Sequence, residues 1–298
     1  YVQHPYFTDE NVEKEKGIIG QEIGMYDDDP SWQLYINAMD CMYKENPIKI
    51  DIAGTVESIS KITPDVLYKC YNTFYNPSNM TMVVCGDFEP EKLLNEIKKR
   101  LVPKENQGEI KRIYAKEETE INKKETEVKM ELSNPLFLVG YKDATKNKEN
   151  LVKRHIAIEI ILNMLIGKSS ELYKKLYEEN ILLSEPNFDY EFNNEYAHVT
   201  IYGQSKNPRR IYEEITKQVE KYIKNGLDEE HFKRIKKKIY GDYAIEYNSV
   251  ADIARMFLAD KMKGINSFDY IEEFNTVTKE YTEGILKEVF NEKNEILS

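Results

Sequence analysis

Histidine and cysteine, the side chains that most often hold transition metals, are scarce in this chain. Its 298 residues contain four histidines (His4, His155, His198, His231) and three cysteines (Cys41, Cys70, Cys85). Neither H-x-x-E-H nor H-E-x-x-H occurs, so no complete histidine–glutamate zinc centre can form from these residues. The histidines therefore read as structural or exposed. The cysteines form no C-x-x-C and stand in apolar contexts such as Met82-Val83-Val84-Cys85. They read as reduced core thiols of a cytoplasmic protein, not as a disulfide or a zinc site. Long apolar runs are absent too. None approaches the ~18 residues of a membrane-spanning helix, and no signal-peptide pattern opens the chain. Basic charge is in deficit: 42 Lys and Arg stand against 53 Asp and Glu, a net charge of −11. That excludes non-specific nucleic-acid binding and favours cationic peptides or partners, besides keeping the chain soluble. The first residues, Tyr1-Val2-Gln3-His4, include no initiator methionine, which reads as an excised piece or processed product.

What is present is most informative between Asn11 and Pro30. At about 100° per residue, Glu15 and Glu22 nearly superpose on one helix face. The same arc holds Ile18, Ile19, Ile23, Met25 and Tyr26, while the opposite side carries Glu13, Lys14, Lys16 and Gln21. Carboxylates inside an apolar stripe are costly unless paired, hydrogen-bonded or metal-bound. Gly17, Gly20 and Gly24 each cost roughly 1 kcal/mol of helix propensity relative to alanine. Together they predict close approach of another backbone. The bland alternative is an ordinary surface helix with misplaced acids.

Further along, Asp28-Asp29-Pro30 stops this helix and launches one over residues 31–43, and Thr63-Pro64-Asp65 launches another to about Tyr75. Met80 to Cys85 reads as a short strand, and Pro90 opens a helix to about Leu101. Residues 103–123 are Lys- and Glu-rich and read as a linker between a first half, 1–102, and a second, 124–298. In the second half Glu125 to Leu132 and Leu136 to Tyr141 read as strands, and Leu151 to Leu165 as a helix. Asn187 to Phe192 and Tyr196 to Tyr202 form a hairpin around Asn193-Asn194. Helices follow, with an apolar tail at Ile296-Leu297. The order helix, break, helix, irregular stretch, Thr-initiated helix, apolar strand fits residues 10–85 and again 228–297, which suggests a duplicated α+β half.

The run Glu13-x-Glu15-x-x-Ile18-Ile19-x-x-Glu22 resembles the helix that follows the metal motif in M16 (pitrilysin/insulinase-like) zinc peptidases. The resemblance continues at Asp51-Ile52-Ala53-Gly54-Thr55 and Phe74-Tyr75-Asn76-Pro77-Ser78-Asn79-Met80. It reaches Ser169-Ser170-Glu171-Leu172-Tyr173-Lys174-Lys175-Leu176-Tyr177 in the second half, so it covers essentially the whole chain. It implies an α+β fold of two homologous halves, each an antiparallel sheet with helices on one face, the first half incomplete. It further implies zinc held by two histidines and a glutamate, the glutamate falling on Glu22 and a supporting acid on Glu15. Two departures matter. The H-x-x-E-H, with its catalytic base, is missing. The arginine and tyrosine that active members carry after S-S-x-L-x-x-x-L fall on Tyr177 and Ser184. A chain with these losses is expected to be inactive alone. Its expected partners are a peptide substrate and a second M16 subunit supplying the Arg/Tyr pair, or else a second copy in a homodimer. The alternative is a non-catalytic peptide-binding or assembly subunit of an M16 complex.

Two other motifs carry little. Gly167-Lys168-Ser169-Ser170 lacks the glycine five positions earlier that a phosphate loop needs, since Leu162 stands there. The run Lys233 to Lys238 reads as the wet face of a helix.

Overall fold

The structure is a computed structural model that describes residues 2–143 and 150–298. In chain order its elements are α1 (Asp9–Asp27), α2 (Pro30–Met42), α3 (Val56–Ser60), α4 (Pro64–Phe74), α5 (Pro90–Arg100), β1 (Leu136–Lys142), α6 (Leu151–Ile166) and α7 (Glu171–Glu178). There follow β2 (Asn187–Phe192), β3 (Ala197–Gln204), α8 (Pro208–Asn225), α9 (Glu229–Glu246), α10 (Val250–Lys263), α11 (Asp269–Thr276), α12 (Lys279–Val289) and β4 (Glu295–Leu297). The chain divides into two units. One comprises Tyr1–Asp28, Ile52–Tyr114 and Tyr247–Ala259; the other comprises Asp29–Asp51, Ala115–Glu246 and Asp260–Ser298.

The first unit is helical. Thr8 caps α1 by accepting from the Asn11 N–H at 3.2 Å, and Asp9 and Glu10 place negative charge at the positive end of the helix. Thr63 caps α4 in the same way, with Pro64 as the first helical residue. The buried apolar side chains of this unit, among the described residues, are Val12, Ile23, Ile59 and Tyr71. So thin a core leaves Phe74, Tyr75 and Cys70 exposed, against the expectation of a buried thiol at Cys70. Met80 to Cys85 forms no ladder, and Met82 is 70% exposed. Its strand-like sequence has no neighbouring main chain to pair with, since no strand lies in this unit among the described residues.

The second unit is built on an antiparallel sheet of order β2-β3-β1-β4. Phe137, Val139 and Tyr141 of β1, Val199 and Ile201 of β3, and Tyr190 and Phe192 of β2 share one face, because side chains alternate along a strand. They form the main core with α6, α8 and α12. Helix α6 is apolar on nearly every side and is buried to match. The opposite face, with Leu138 and Ile296, packs against Ala38, Met39, Met42 and Tyr43 of the α2 segment. That close approach requires Gly140, where any Cβ would collide with the methyl of Met42. The hairpin appears where the sequence placed it, with the Asn193 side chain accepting from the N–H groups of Glu195 and Tyr196 at 2.7 and 2.9 Å.

The expected strand 125–132 is mostly unpaired. The Thr126 N–H donates to Leu297 O and the Leu297 N–H to Lys124 O, each at 3.0 Å, after which β4 ends and the ladder with it. Two buried ion pairs stitch this unit together. The Arg154 guanidinium donates two bonds of 2.8 Å to Asp143, which also accepts from the Tyr190 hydroxyl at 2.7 Å. The Lys142 ammonium donates to Glu117 and to the carbonyls of Glu118 and Glu120.

The duplicated element order is visible. Helices α1, α2 and α4, the last capped by Thr63, run toward Met80 to Cys85. Helices α9, α10 and α12, the last capped by Thr278, run to β4. The two final segments differ in one respect: β4 has β1 to pair with.

Candidate metal centre

Helix α1 places Glu15 and Glu22, and one face of it is buried. Val12 and Ile23 are shielded from water, with Lys16 and Ile19 partly so on the same line. Val12, Lys16 and Ile19 border a cavity of about 310 Å³ whose other walls are Phe7, Asn11, Ile59, Ile62 and Leu67, and Glu15 stands on its lining. The adjacent stripe of Glu15, Ile18, Glu22 and Met25 faces outward. Ile18 is 49% and Met25 70% exposed, and both glutamates are exposed. The sequence led us to expect these carboxylates inside a covered apolar face. Amphipathic spacing marks a face that wants cover, but no described residue supplies it. The three glycines tell the same story. A Cβ at Gly17, Gly20 or Gly24 would meet nothing within 4 Å, so the expected close backbone approach does not occur among the described residues.

The Tyr26 hydroxyl donates to Glu22 Oε1 at 2.9 Å, one helical turn away. The lysine nearest in sequence, Lys16, is engaged elsewhere: its ammonium bonds Glu13 and donates to the Ser60 carbonyl at 3.1 Å. Neither Glu15 nor Glu22 forms an ion pair among the described residues. A catalytic zinc needs three protein ligands, nitrogen, sulfur or oxygen, in near-tetrahedral array. No cluster of three His, Cys, Asp or Glu side chains able to hold a metal is found among the described residues. The described residues do not by themselves fit the ion.

The half-buried His155 and the buried His198 are committed elsewhere. His155 Nδ1 lies 2.7 Å from the Tyr270 hydroxyl and His198 Nδ1 2.9 Å from that of Tyr43. Burial pushes His155 down to about 3 and His198 down to about 4. Tyr177 and Ser184 sit in the second unit. The Ser170 hydroxyl caps α7 by accepting from the Tyr173 N–H at 3.0 Å, and Leu172 and Leu176 anchor the helix in the core. This leaves Tyr177 52% exposed with its ring stacked on Tyr173 at 5.7 Å. Ser184 is exposed in the bend between Leu182, which bridges to Ser205, and β2.

Sequence reasoning missed the part played by Glu117. Within the stretch read as a linker, its carboxylate accepts from the N–H groups of Lys44, Glu45 and Asn46 at 3.0, 2.7 and 2.7 Å as well as from Lys142. Partial burial works against the charge, but the ammonium and the three amides outweigh it and hold the group down to about 2. The Lys- and Glu-rich composition around it gave no signal of this.

An antiparallel sheet with helices on both faces, together with a separate helical unit, defines a mixed α+β chain. The family description "Peptidase M16 inactive domain" matches residues 61–239, and the chain belongs to the peptidase M16 family. Glu15 and Glu22 lie outside the matched residues. The chain is 38% identical to the Bacillus subtilis protein named uncharacterized zinc protease YmfH, over 97% of this chain and 68% of that one. It is 22% identical to a second such B. subtilis protein, YmxG, over 97% of this chain and 70% of that one. Among solved structures it resembles an M16-like peptidase of Alicyclobacillus acidocaldarius, with TM-score 0.93 and 32% identity over 100% of this chain and 72% of that one. A Helicobacter pylori protease shares the fold, with TM-score 0.86 and 20% identity over 98% of this chain and 72% of that one. No helix among the described residues is long and apolar enough to cross a membrane.

Proposed function

We propose that this chain is part of a zinc-dependent endopeptidase that hydrolyses peptides. It contributes Glu22 as the third zinc ligand and Glu15 as a group behind it that tunes the site. The observation that carries this reading is the outward-facing stripe of α1, where two carboxylates that form no ion pair among the described residues share a face with Ile18 and Met25. The zinc-protease names of relatives that align over nearly the whole chain support it. Zinc, when bound in the complete protein, activates water and polarises the scissile carbonyl. The 298 residues supply neither the histidines nor the base, so alone they are inactive.

Residues 1–102 belong on this reading to the zinc-bearing half, 103–123 to the linker and 124–298 to the second half. Tyr177 and Ser184 stand where an Arg/Tyr pair would act, so a second M16 subunit supplies that pair in a heterodimer, or the protein works as a homodimer without it. The proposed compartment is the cytoplasm. A purely non-catalytic assembly role is the second reading, and the two solvent-facing acids of α1 argue against it.

Zinc analysis tests the proposal. The 298-residue chain retains no stoichiometric zinc after dialysis. A chain of the relatives' full length that includes an H-x-x-E-H binds one equivalent and loses it on Glu22→Ala. Tight zinc in the shorter chain, indifferent to Glu22→Ala, would overturn the assignment.

A further inference from the structure

Lys142 ends β1 with its ammonium inside the second unit, its side chain only 3% exposed. Burial pulls the group below the usual lysine range, and Glu117 opposes that pull. Its one ion pair among the described residues is the 2.5 Å contact with Glu117. Beside it the N–H groups of Lys44, Glu45 and Asn46, successive residues just past α2, converge on the same carboxylate. Glu117 Oε1 takes the Lys44 N–H and the ammonium, and Oε2 takes the other two N–H groups. Successive amides beside a buried cation make a concavity for an anion. All four donors contact the carboxylate group alone, so the chemistry is that of a carboxylate receptor.

The segment that brings Glu117 has little else to hold it. From Ala115 to Ile121 no N–H bonds another main-chain group among the described residues. The pair between Glu118 and Lys44 is open to water and contributes little. The carbonyls of Glu118 and Glu120 accept only from Lys142. A separate fastening follows, where the N–H groups of Asn122 and Lys123 donate to the Cys41 carbonyl at 2.8 and 2.9 Å.

We propose that residues 115–121 are a detachable strap plugging a carboxylate-binding site, and that a free carboxylate occupies the site when the strap lifts. With the strap away, Lys142 keeps the Tyr43 ring, 5.0 Å off, and a buried ammonium so placed needs a replacement anion. Exchange of one carboxylate for another thus couples ligand binding to release of the strap as far as Asn122, where the Cys41 carbonyl holds the chain. The site uses neither Glu15 nor Glu22, so its test is independent of the peptidase reading.

The probe is sodium formate, with sodium chloride at equal ionic strength as the control, added to the 298-residue chain carrying Glu117→Ala. Formate is expected to raise the urea midpoint of this variant saturably, and chloride to leave it unchanged. Trypsin should cut after Lys116 at least about tenfold faster than in the parent chain, and formate should not slow it, because the ion fills the site without holding the strap. Adding Lys142→Met removes the stranded cation and should make the midpoint indifferent to formate. Should Glu117→Ala not fold in plain buffer, folding on addition of formate but not of chloride is the same readout. Four results would each overturn the proposal: no gain or folding with formate, an equal effect of chloride, a gain that survives Lys142→Met, or resistance at Lys116 restored by formate.

Discussion

The Tyr26 hydroxyl holds Glu22 Oε1 at 2.9 Å on the exposed face of α1. One carboxylate oxygen is thereby oriented by a neighbour on the same helix, and Glu22 forms no ion pair among the described residues.

If Glu22 is a zinc ligand, Tyr26 sets its direction. In a chain complete enough to bind zinc, Tyr26→Phe is expected to weaken zinc by about tenfold, the low end for loss of a group that orients a ligand. Competition against a chromophoric chelator reads this directly. Helix content by circular dichroism should not change.

The Arg154–Asp143 pair gives a stability prediction. Arg154→Met takes both guanidinium bonds from the buried Asp143 carboxylate, and should cost about 3–5 kcal/mol in urea unfolding. Replacing both partners with apolar residues should cost clearly less. An equal loss in the double variant would mean the charges themselves, not the stranded carboxylate, carry the effect.

Gly140→Ala is expected to destabilise the second unit by about 1–3 kcal/mol through overpacking against Met42. Met42→Ala in the same chain should recover part of that loss. A double-mutant cycle by chemical unfolding measures the coupling.

The pH dependence has opposing contributions. His155 and His198, held at about 3 and about 4, bind protons in the unfolded chain but not in the folded one between about pH 4 and 6.5. Their contribution to stability is complete above that window and is lost as pH falls. Glu159, held up to about 7, acts in the reverse sense, with its contribution lost as pH rises from about 4.5 toward 7. Two groups outweigh one, so stability should fall on acidification from about pH 6.5 to 4.5, and Glu117, held down to about 2, continues the fall below that. Glu159→Gln removes the opposing group and should steepen the upper part of the curve. A shallower curve in that variant would contradict these assignments.

The elements set by local chemistry were legible in the sequence. Thr63 and Ser170 cap helices, Asp29 with Pro30 starts α2, and Asn193 turns the hairpin, whereas the last helix, expected from about Thr282, starts one turn earlier behind Thr278. Each depends on residues within a few positions. The M16 assignment and the α+β fold were legible from short motifs for the same reason. Exposure was not legible. The spacing of Ile18, Glu22 and Met25 reports that a face is apolar, without saying whether this chain covers it. Met80 to Cys85 has a strand's composition, yet pairing depends on a neighbour that composition does not reveal. Lys142 lies one residue beyond the strand expected over 136–141. Its partner Glu117 lies in a stretch whose many similar charges gave no reason to single it out.

The pairing of β1 with β4 has a kinetic consequence. Val139 meets Leu297 and Tyr141 meets Glu295, so one edge of β1 stays open until the ribosome has passed Leu297. Until then the Leu138 face lacks Ile296, and the main core lacks Val289 and Phe290 of the α12 end. Loops this long close slowly, which places completion of the sheet late in folding and leaves a nascent or prematurely terminated chain with β1 open along one edge.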